Sequence, residues 1–385
     1  MAHAGSQIRK KPLFRADHVG SLRRPEKLMK ERERILGAHD LDSNFGPHQN
    51  EELHALEDAT IREAVALQEG VGLKSITDGE FRRRIWWSEF LLSLEGVEGN
   101  YRGPVTEFRD KSGHFVPTPR IDVTGPIRWR KSVNVGPFKF LQSVTKQTPK
   151  VTIPAPQTLF FFATRDTISR TAYPDLSALW NDLAAAYKAE LKALSDVGCT
   201  YVQLDEIVTS CLCDETHRSK LKSQGQDPDE LLHSYVKAIN RAIEGRSPNL
   251  TVAMHTCRGN YQGHWMAEGG YDPIAEYLFN EIKVDTIFLE YDSSRAGSFK
   301  PLRFMPKDKG VVLGLISTKT ASLESPDALK KRIEEASEYV EIERLGLSPQ
   351  CGFSSNYLGN PVTIEDEKRK LALVVDVAHS VWGTA

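Results

Sequence analysis

From residue 180 onward the sequence alternates short β-rich runs with helical stretches, and that rhythm restricts the chain to a parallel sheet with crossover helices. The strand candidates are Thr200–Asp205, Leu250–His255, Asp285–Glu290 and Val311–Ile316, with a shorter one leading into Cys351. Helices fall between them. Leu179–Val197 carries apolar residues at helical spacing and stops at Gly198, while Asp229–Ile243 follows the turn residues Asp227 and Pro228. Pro326–Leu345 has proline near its first turn and Gly346 just past its end, and Ile364–Val381 closes the series.

The first 170 residues are less regular. His18–Ser21, Lys74–Thr77 and Val151–Ile153 read as strand ends, Asp58–Gln68 as a helix, and Ile121–Thr124 as a weaker strand. Residues 96–150 are rich in Gly, Pro, charge and aromatics, and read as an excursion outside the repeat. Eight or nine strands fit a closed ring better than an open sheet. The fold expected is α/β, a single (β/α)8 TIM barrel over residues 1–385 with an inserted irregular segment, 96–150, in its N-terminal half.

Composition narrows the class of function. Lys and Arg number 50 against 52 Asp and Glu, a formal net charge of −2, which argues against nucleic-acid or membrane-surface binding through bulk charge. The five cysteines (Cys199, Cys211, Cys213, Cys257, Cys351) are too few and too odd in number for a disulfide framework, so a reducing, cytoplasmic setting is expected. MAHAGSQIRKKPLF has basic residues without a following apolar stretch, and no run approaches the length of a membrane span. The partners expected are small molecules, with no nucleic acid and no membrane, and a homo-oligomer is compatible with the sequence.

In a barrel of this kind, functional groups sit at the C-terminal ends of strands. Those ends carry Asp205-Glu206, His255-Thr256-Cys257, Glu290 and Cys351. His255 and Cys257 are two apart in extended backbone, so both side chains leave the same face. With Glu290 and Cys351 from the following strands they make a His, Cys, Glu, Cys set suited to tetrahedral zinc. Free cysteine is more often a small buried hydrophobe. Cys211 and Cys213, with Cys199 and His217, form a rival cluster, but in a helix-like context residues i and i+2 point apart.

ADHVGSLRRP, YVQLDE, MHTCRGN, FLEYDSSR and SPQCGF, in that order, resemble the catalytic half of cobalamin-independent methionine synthase and its shorter single-barrel relatives. The resemblance implies a catalytic Zn²⁺ held by His255, Cys257, Glu290 and Cys351, the same set the strand ends suggest. It also implies that homocysteine's amino-acid end meets Gly20 and Ser21, Asp205, and Glu80 of TDGEFRRR, the catalytic roles falling to Asp205 and to Glu290, which a substrate thiolate would displace. Carboxylates suit an ammonium, while amides and hydroxyls suit a carboxylate. From the residues alone Asp205 could be a helix cap, and Glu80 could pair with Arg82, Arg83 or Arg84.

The function expected is therefore zinc-dependent transfer of a methyl or alkyl group to homocysteine or a similar thiol in methionine biosynthesis. Two features leave the donor open. The chain has no length for the second barrel that helps bind polyglutamyl methyltetrahydrofolate, and Ser317, Thr318 and Lys319 stand where the synthases carry a histidine proton donor. An alternative electrophile is an epoxide, as in the lyase that opens epoxides with a sulfonate-bearing thiol coenzyme; a non-catalytic ligand-sensing barrel is a third reading. Arg15, Arg23 and Arg24 either bind an anionic tail or form a solvated face, and Trp86 and Trp87 either stack on a flat donor or line the barrel mouth.

Overall fold

The computed structural model describes residues 14–37, 48–100 and 120–385. Its strands are β1 (Ser75–Ile76), β2 (Glu95–Asn100), β3 (Arg120–Arg128), β4 (Thr148–Pro149), β5 (Val151–Pro154), β6 (Tyr201–Glu206), β7 (Thr251–Thr256), β8 (Thr286–Glu290), β9 (Gly310–Ser317) and β10 (Leu345–Gln350). Six of them pair in parallel in the order β10-β9-β8-β7-β6-β5. One residue separates β5 from β4, which pairs with β1, so a single run of chain links both neighbours. At the other edge Ala16 bridges Leu347, with Asp17 N donating to Leu347 O at 3.0 Å. The segment around His18 then meets β1, His18 Nε2 lying 3.2 Å from Ser75 O and Leu22 N donating to Gly79 O at 3.0 Å. These contacts complete an eight-membered ring of the expected α/β barrel type.

Both faces of the ring strands are buried, and alternation decides which core each residue joins. Val202, Leu204, Val252, Met254, Ile287 and Leu289 belong to the large core under the helices. Tyr201, Ala253, Phe288 and Val312 form a separate cluster within the ring. Two residues further along the same inward rows the side chains turn polar: Gln203, then Asp205; His255; Glu290. That change along each strand confines the chemistry to one end of the barrel.

A buried ion pair plugs the interior below that end. Lys150, fully buried, donates to Asp17 Oδ1 at 3.1 Å and to His18 O, and its Nζ lies 4.6 Å from the Phe288 ring centroid. Tyr201 Oη donates to the other Asp17 oxygen at 2.7 Å. Burial pulls the Lys150 pKa down against the attraction of Asp17.

Some expectations need correction. The stretch around Ile121–Thr124 joins β3, which pairs antiparallel with β2 outside the parallel ring. The helix expected over Pro326–Leu345 ends at Ser337, because the chain must turn through Ile342–Arg344 to enter β10, where Gly346 is a strand residue and not a cap. The helix read as Asp58–Gln68 extends over Glu51–Gly70, started by Asn50, whose side chain accepts from Leu53 N. Of the expected excursion, residues 101–119 lie outside the described residues, as do residues 1–13 of the N-terminal stretch. Among the described residues no helix is long and apolar enough to cross a membrane.

Candidate metal centre and thiol pocket

His255 and Asp205 are direct partners in the β6–β7 register. The imidazole Nδ1 lies 3.2 Å from Asp205 Oδ1, and the buried Nε2 has no protein partner. One ligand atom each from His255, Cys257 and Cys351 lies within 4.8 Å of the other two, all three residues buried. Cys351 gains this position through a left-handed backbone, φ 61°. Such a conformation is uncommon outside glycine and is retained where the surrounding structure demands it.

Glu290 stands beside this trio, outside the mutual 4.8 Å group. Its Oε2 accepts from Arg258 N at 2.7 Å and from Gln350 Nε2 at 3.3 Å, and its Oε1 from Arg295 at 3.2 Å. Gln350 Nε2 also reaches Cys351 Sγ at 3.3 Å, so one amide spans the carboxylate and the thiol.

Electrostatics prepare the trio for a cation. Burial opposes a Cys351 thiolate, but the hydrogen bond with Cys257 and the positive charges of Lys319 and His255 prevail, holding its pKa down at about 6. The same hydrogen bond, with burial, drives Cys257 well up. Burial likewise opposes a charged His255, yet the bond to Asp205 and the negative charge of Cys351 carry its pKa to about 10. A metal ion would take the place of the protons on Nε2 and the thiols. An imidazole whose far nitrogen is fixed by a carboxylate, facing two sulfurs, fits zinc by donor type.

The adjoining cavity is lined by Ser21, Glu80, Asp205, Cys257 and Cys351 among others, so the thiols share one space with the expected amino-acid contacts other than Gly20. Glu80 also has positive φ, 59°, directly after Gly79 at 68°. Its Oε1 accepts from Thr152 Oγ1 at 2.6 Å and lies 3.4 Å from Arg83, while Oε2 is buried without a partner. Burial is the main cause that lifts its pKa to about 7, against the pull of Arg83 and with the push of Asp205. Gly20, φ 140°, leaves no room for a side chain: a Cβ there would lie 2.6 Å from Thr152 Cγ2.

Sequence reading missed what holds these loops together. Arg24 is buried, with its guanidinium on Ser354 O and Oγ, Asn356 O, Glu80 O and Arg83 O at 2.7–3.3 Å. Arg15 and Arg23 also donate to backbone carbonyls. Arg23 and Arg24 fasten loops at the barrel mouth, and Arg15 fastens the entry of β10 at the opposite end, instead of presenting a solvated or anion-binding face. Asn260 Nδ2 donates to Gly352 O at 3.0 Å, tying the loop after β7 to the one after β10. Trp86 lines the cavity, whereas Trp87 is buried and stacked on Phe162.

The rival cysteines are spent elsewhere. Cys211 Sγ donates to Ile207 O at 3.1 Å, burial raises Cys199 and Cys213 to about 12, and none of them joins a metal-type group among the described residues. His48, His54 and Glu57 do form such a group, but Glu57 already pairs with Arg32 and Arg82.

The family model described as "Cobalamin-independent synthase, Catalytic domain" matches residues 38–380. The chain belongs to this family. Among relatives of this cobalamin-independent synthase domain, the uncharacterized protein YxjG of Bacillus subtilis is 43% identical, covering 99% of this chain and 98% of its own. The methionine synthase of Pyrococcus abyssi is 26% identical, covering 77% and 76%. A Listeria monocytogenes crystal structure, provisionally assigned as a vitamin-B12-independent methionine synthase, is 35% identical, with TM-score 0.74 over 97% of this chain and 99% of that one.

Proposed function

We propose that this protein methylates the sulfur of homocysteine or a similar small amino-acid thiol, using zinc held by His255, Cys257 and Cys351 with Glu290 at hand. One observation carries the reading: two buried cysteines and an unpartnered imidazole nitrogen share a cavity with the carboxylates of Glu80 and Asp205. Membership of the synthase family and the activity named for the Pyrococcus relative support it.

Zinc bound there would lower the pKa of a coordinated thiol enough for thiolate to prevail at neutral pH. The chain's own residues select and aim the substrate. Glu80 and Asp205 attract the ammonium, and Ser21 with the glycine backbone at Gly20 receives the carboxylate. Held at that end, the substrate directs its thiol toward Cys257 and Cys351. With Cys257 and Cys351 as thiolates, such a metal would be electron-rich, a character that would suit alkyl transfer to sulfur better than activation of water. Five free cysteines suit a cytoplasmic setting.

The test is an assay of purified protein with homocysteine and a panel of methyl donors, following methionine by carbon-13 NMR. Methionine should form and should depend on Cys351. No thiol methylation with any donor, together with no binding of methionine, would refute the proposal.

A further inference from the structure

Thr152 is the second residue of β5, paired with Gln203 of β6, buried at 2% exposure and set behind the cavity wall. It lies outside every motif that carries the family resemblance. Its side chain nevertheless meets two separate parts of the amino-acid site. Oγ1 donates to Glu80 Oε1 at 2.6 Å and accepts from Arg83 Nη1 at 3.0 Å, while Arg83 Nη2 donates to Thr152 O. The methyl Cγ2 fills the space at Gly20, where an added Cβ would lie 2.6 Å from it and 3.3 Å from Glu80 Oε1.

Hydrogen counting gives this contact a direction. A guanidinium has only hydrogens to give, whereas a threonine hydroxyl has one hydrogen and two lone pairs. Arg83 therefore occupies a lone pair of Oγ1, and the single hydroxyl hydrogen goes to Glu80 Oε1. That oxygen is committed as an acceptor. A proton on neutral Glu80 then has to sit on Oε2, which is buried without a protein partner. Oε2 is also the oxygen free to receive an ammonium, so proton and ligand compete for one atom.

We infer that Thr152 is a positioning residue for α-amino-acid recognition: its hydroxyl reserves Oε2 of Glu80 for the ligand ammonium, and its methyl against Gly20 fixes the distance between the ammonium and carboxylate ends. The inference rests on the function proposed above. When an amino acid in its ammonium form binds to neutral Glu80, the Oε2 proton leaves to solvent and the N–H bonds of the ligand stay intact. The charges facing Glu80 are Arg83 and Asp78 from its own turn, Arg24 on its carbonyl, Lys150 from β5 and Asp205 from β6. All of them persist when the Thr152 hydroxyl is removed. Burial raises the Glu80 pKa and the Thr152 bond lowers it, because that bond favours the charged form.

The experiment is calorimetry of methionine binding to the purified protein between about pH 5.5 and about pH 8.5, in buffers of different ionisation heat. The wild-type affinity should rise with a midpoint near 7, the value to which Glu80 is raised. Close to pH 6, about one proton should be released per methionine bound. Thr152→Val, which keeps the shape and loses the hydroxyl, should move the midpoint up by about one pH unit. Its affinity should fall on the order of tenfold at about pH 6.5 and return to within about twofold of wild type at about pH 8.5. Thr152→Ser should keep the wild-type midpoint. Should Thr152→Val fail to fold, Thr152→Ala against Thr152→Ser makes the same comparison without a branched side chain facing Arg83. An affinity that drops equally at every pH, a midpoint unmoved by loss of the hydroxyl, or wild-type binding without proton release overturns the inference and leaves the proposed function standing. If wild-type protein binds no methionine at any pH the inference falls, and the proposed function falls with it when thiol methylation is absent as well.

Discussion

Asp205 Oδ1 lies 3.2 Å from His255 Nδ1 across the β6–β7 register, and this leaves Nε2 as the nitrogen that shares a site with Cys257 and Cys351. Asp205 also lines the adjoining cavity. One carboxylate thus joins the candidate metal centre to the proposed thiol pocket.

Asp205→Asn should accordingly disturb both. Removing the charge behind a metal-binding imidazole commonly weakens metal affinity about 10–100-fold. Zinc competition against a chelator should show that loss, and calorimetry should show weaker methionine binding. Unchanged zinc affinity would detach Asp205 from the metal centre.

Glu80 makes a prediction about pH. Its folded pKa of about 7 exceeds its ordinary value, so the neutral form stabilises the protein at low pH, and that contribution is lost as pH rises through 7. Ligand binding runs the other way, because an ammonium needs the charged carboxylate. Methionine, which has no thiol proton to confuse the reading, should bind more tightly as pH rises from about 5.5 to about 7.5, and Glu80→Gln should flatten that rise. A wild-type profile already flat would exclude Glu80 from ammonium binding.

Gly352 tests how closely the loops are packed. A Cβ there would lie 1.8 Å from Ser21 Oγ and 3.0 Å from Ser21 Cβ. Gly352→Ala should cost about 1–3 kcal/mol in urea denaturation and weaken methionine binding by displacing Ser21. Adding Ser21→Gly should recover much of the stability without the binding. Wild-type behaviour of Gly352→Ala would show that Ser21 moves aside freely.

The interior ion pair makes a prediction about stability. Lys150→Met leaves Asp17 buried without its cation, with an expected loss of about 3–5 kcal/mol, while Asp17→Asn in the same chain should restore part of it. Equal stability of the two variants would mean that the pair does not couple.

The sequence made much of this legible because the information is local. His255 and Cys257 alternate on one strand face, and the βα rhythm places their neighbours at successive strand ends. Features set by loop geometry were not legible. The left-handed backbone of Glu80 and Cys351 leaves no compositional mark. Arg24 resembles any surface arginine until five oxygens from two other loops surround it. The helix from Pro326 stops nine residues before Gly346, at Ser337, because Arg344 is drawn inward to Pro306 O and Lys309 O. Glu290 sits at its strand end, yet only the structure reveals Arg258, Gln350 and Arg295 gathered on its carboxylate.

X-ray absorption at the zinc edge, on protein purified without chelator, addresses the joined site directly. About one zinc per chain is expected, with two sulfur neighbours from Cys257 and Cys351 that become three when homocysteine is added. Protein that contains no zinc, or a sulfur count that stays at two under saturating homocysteine, would contradict the account.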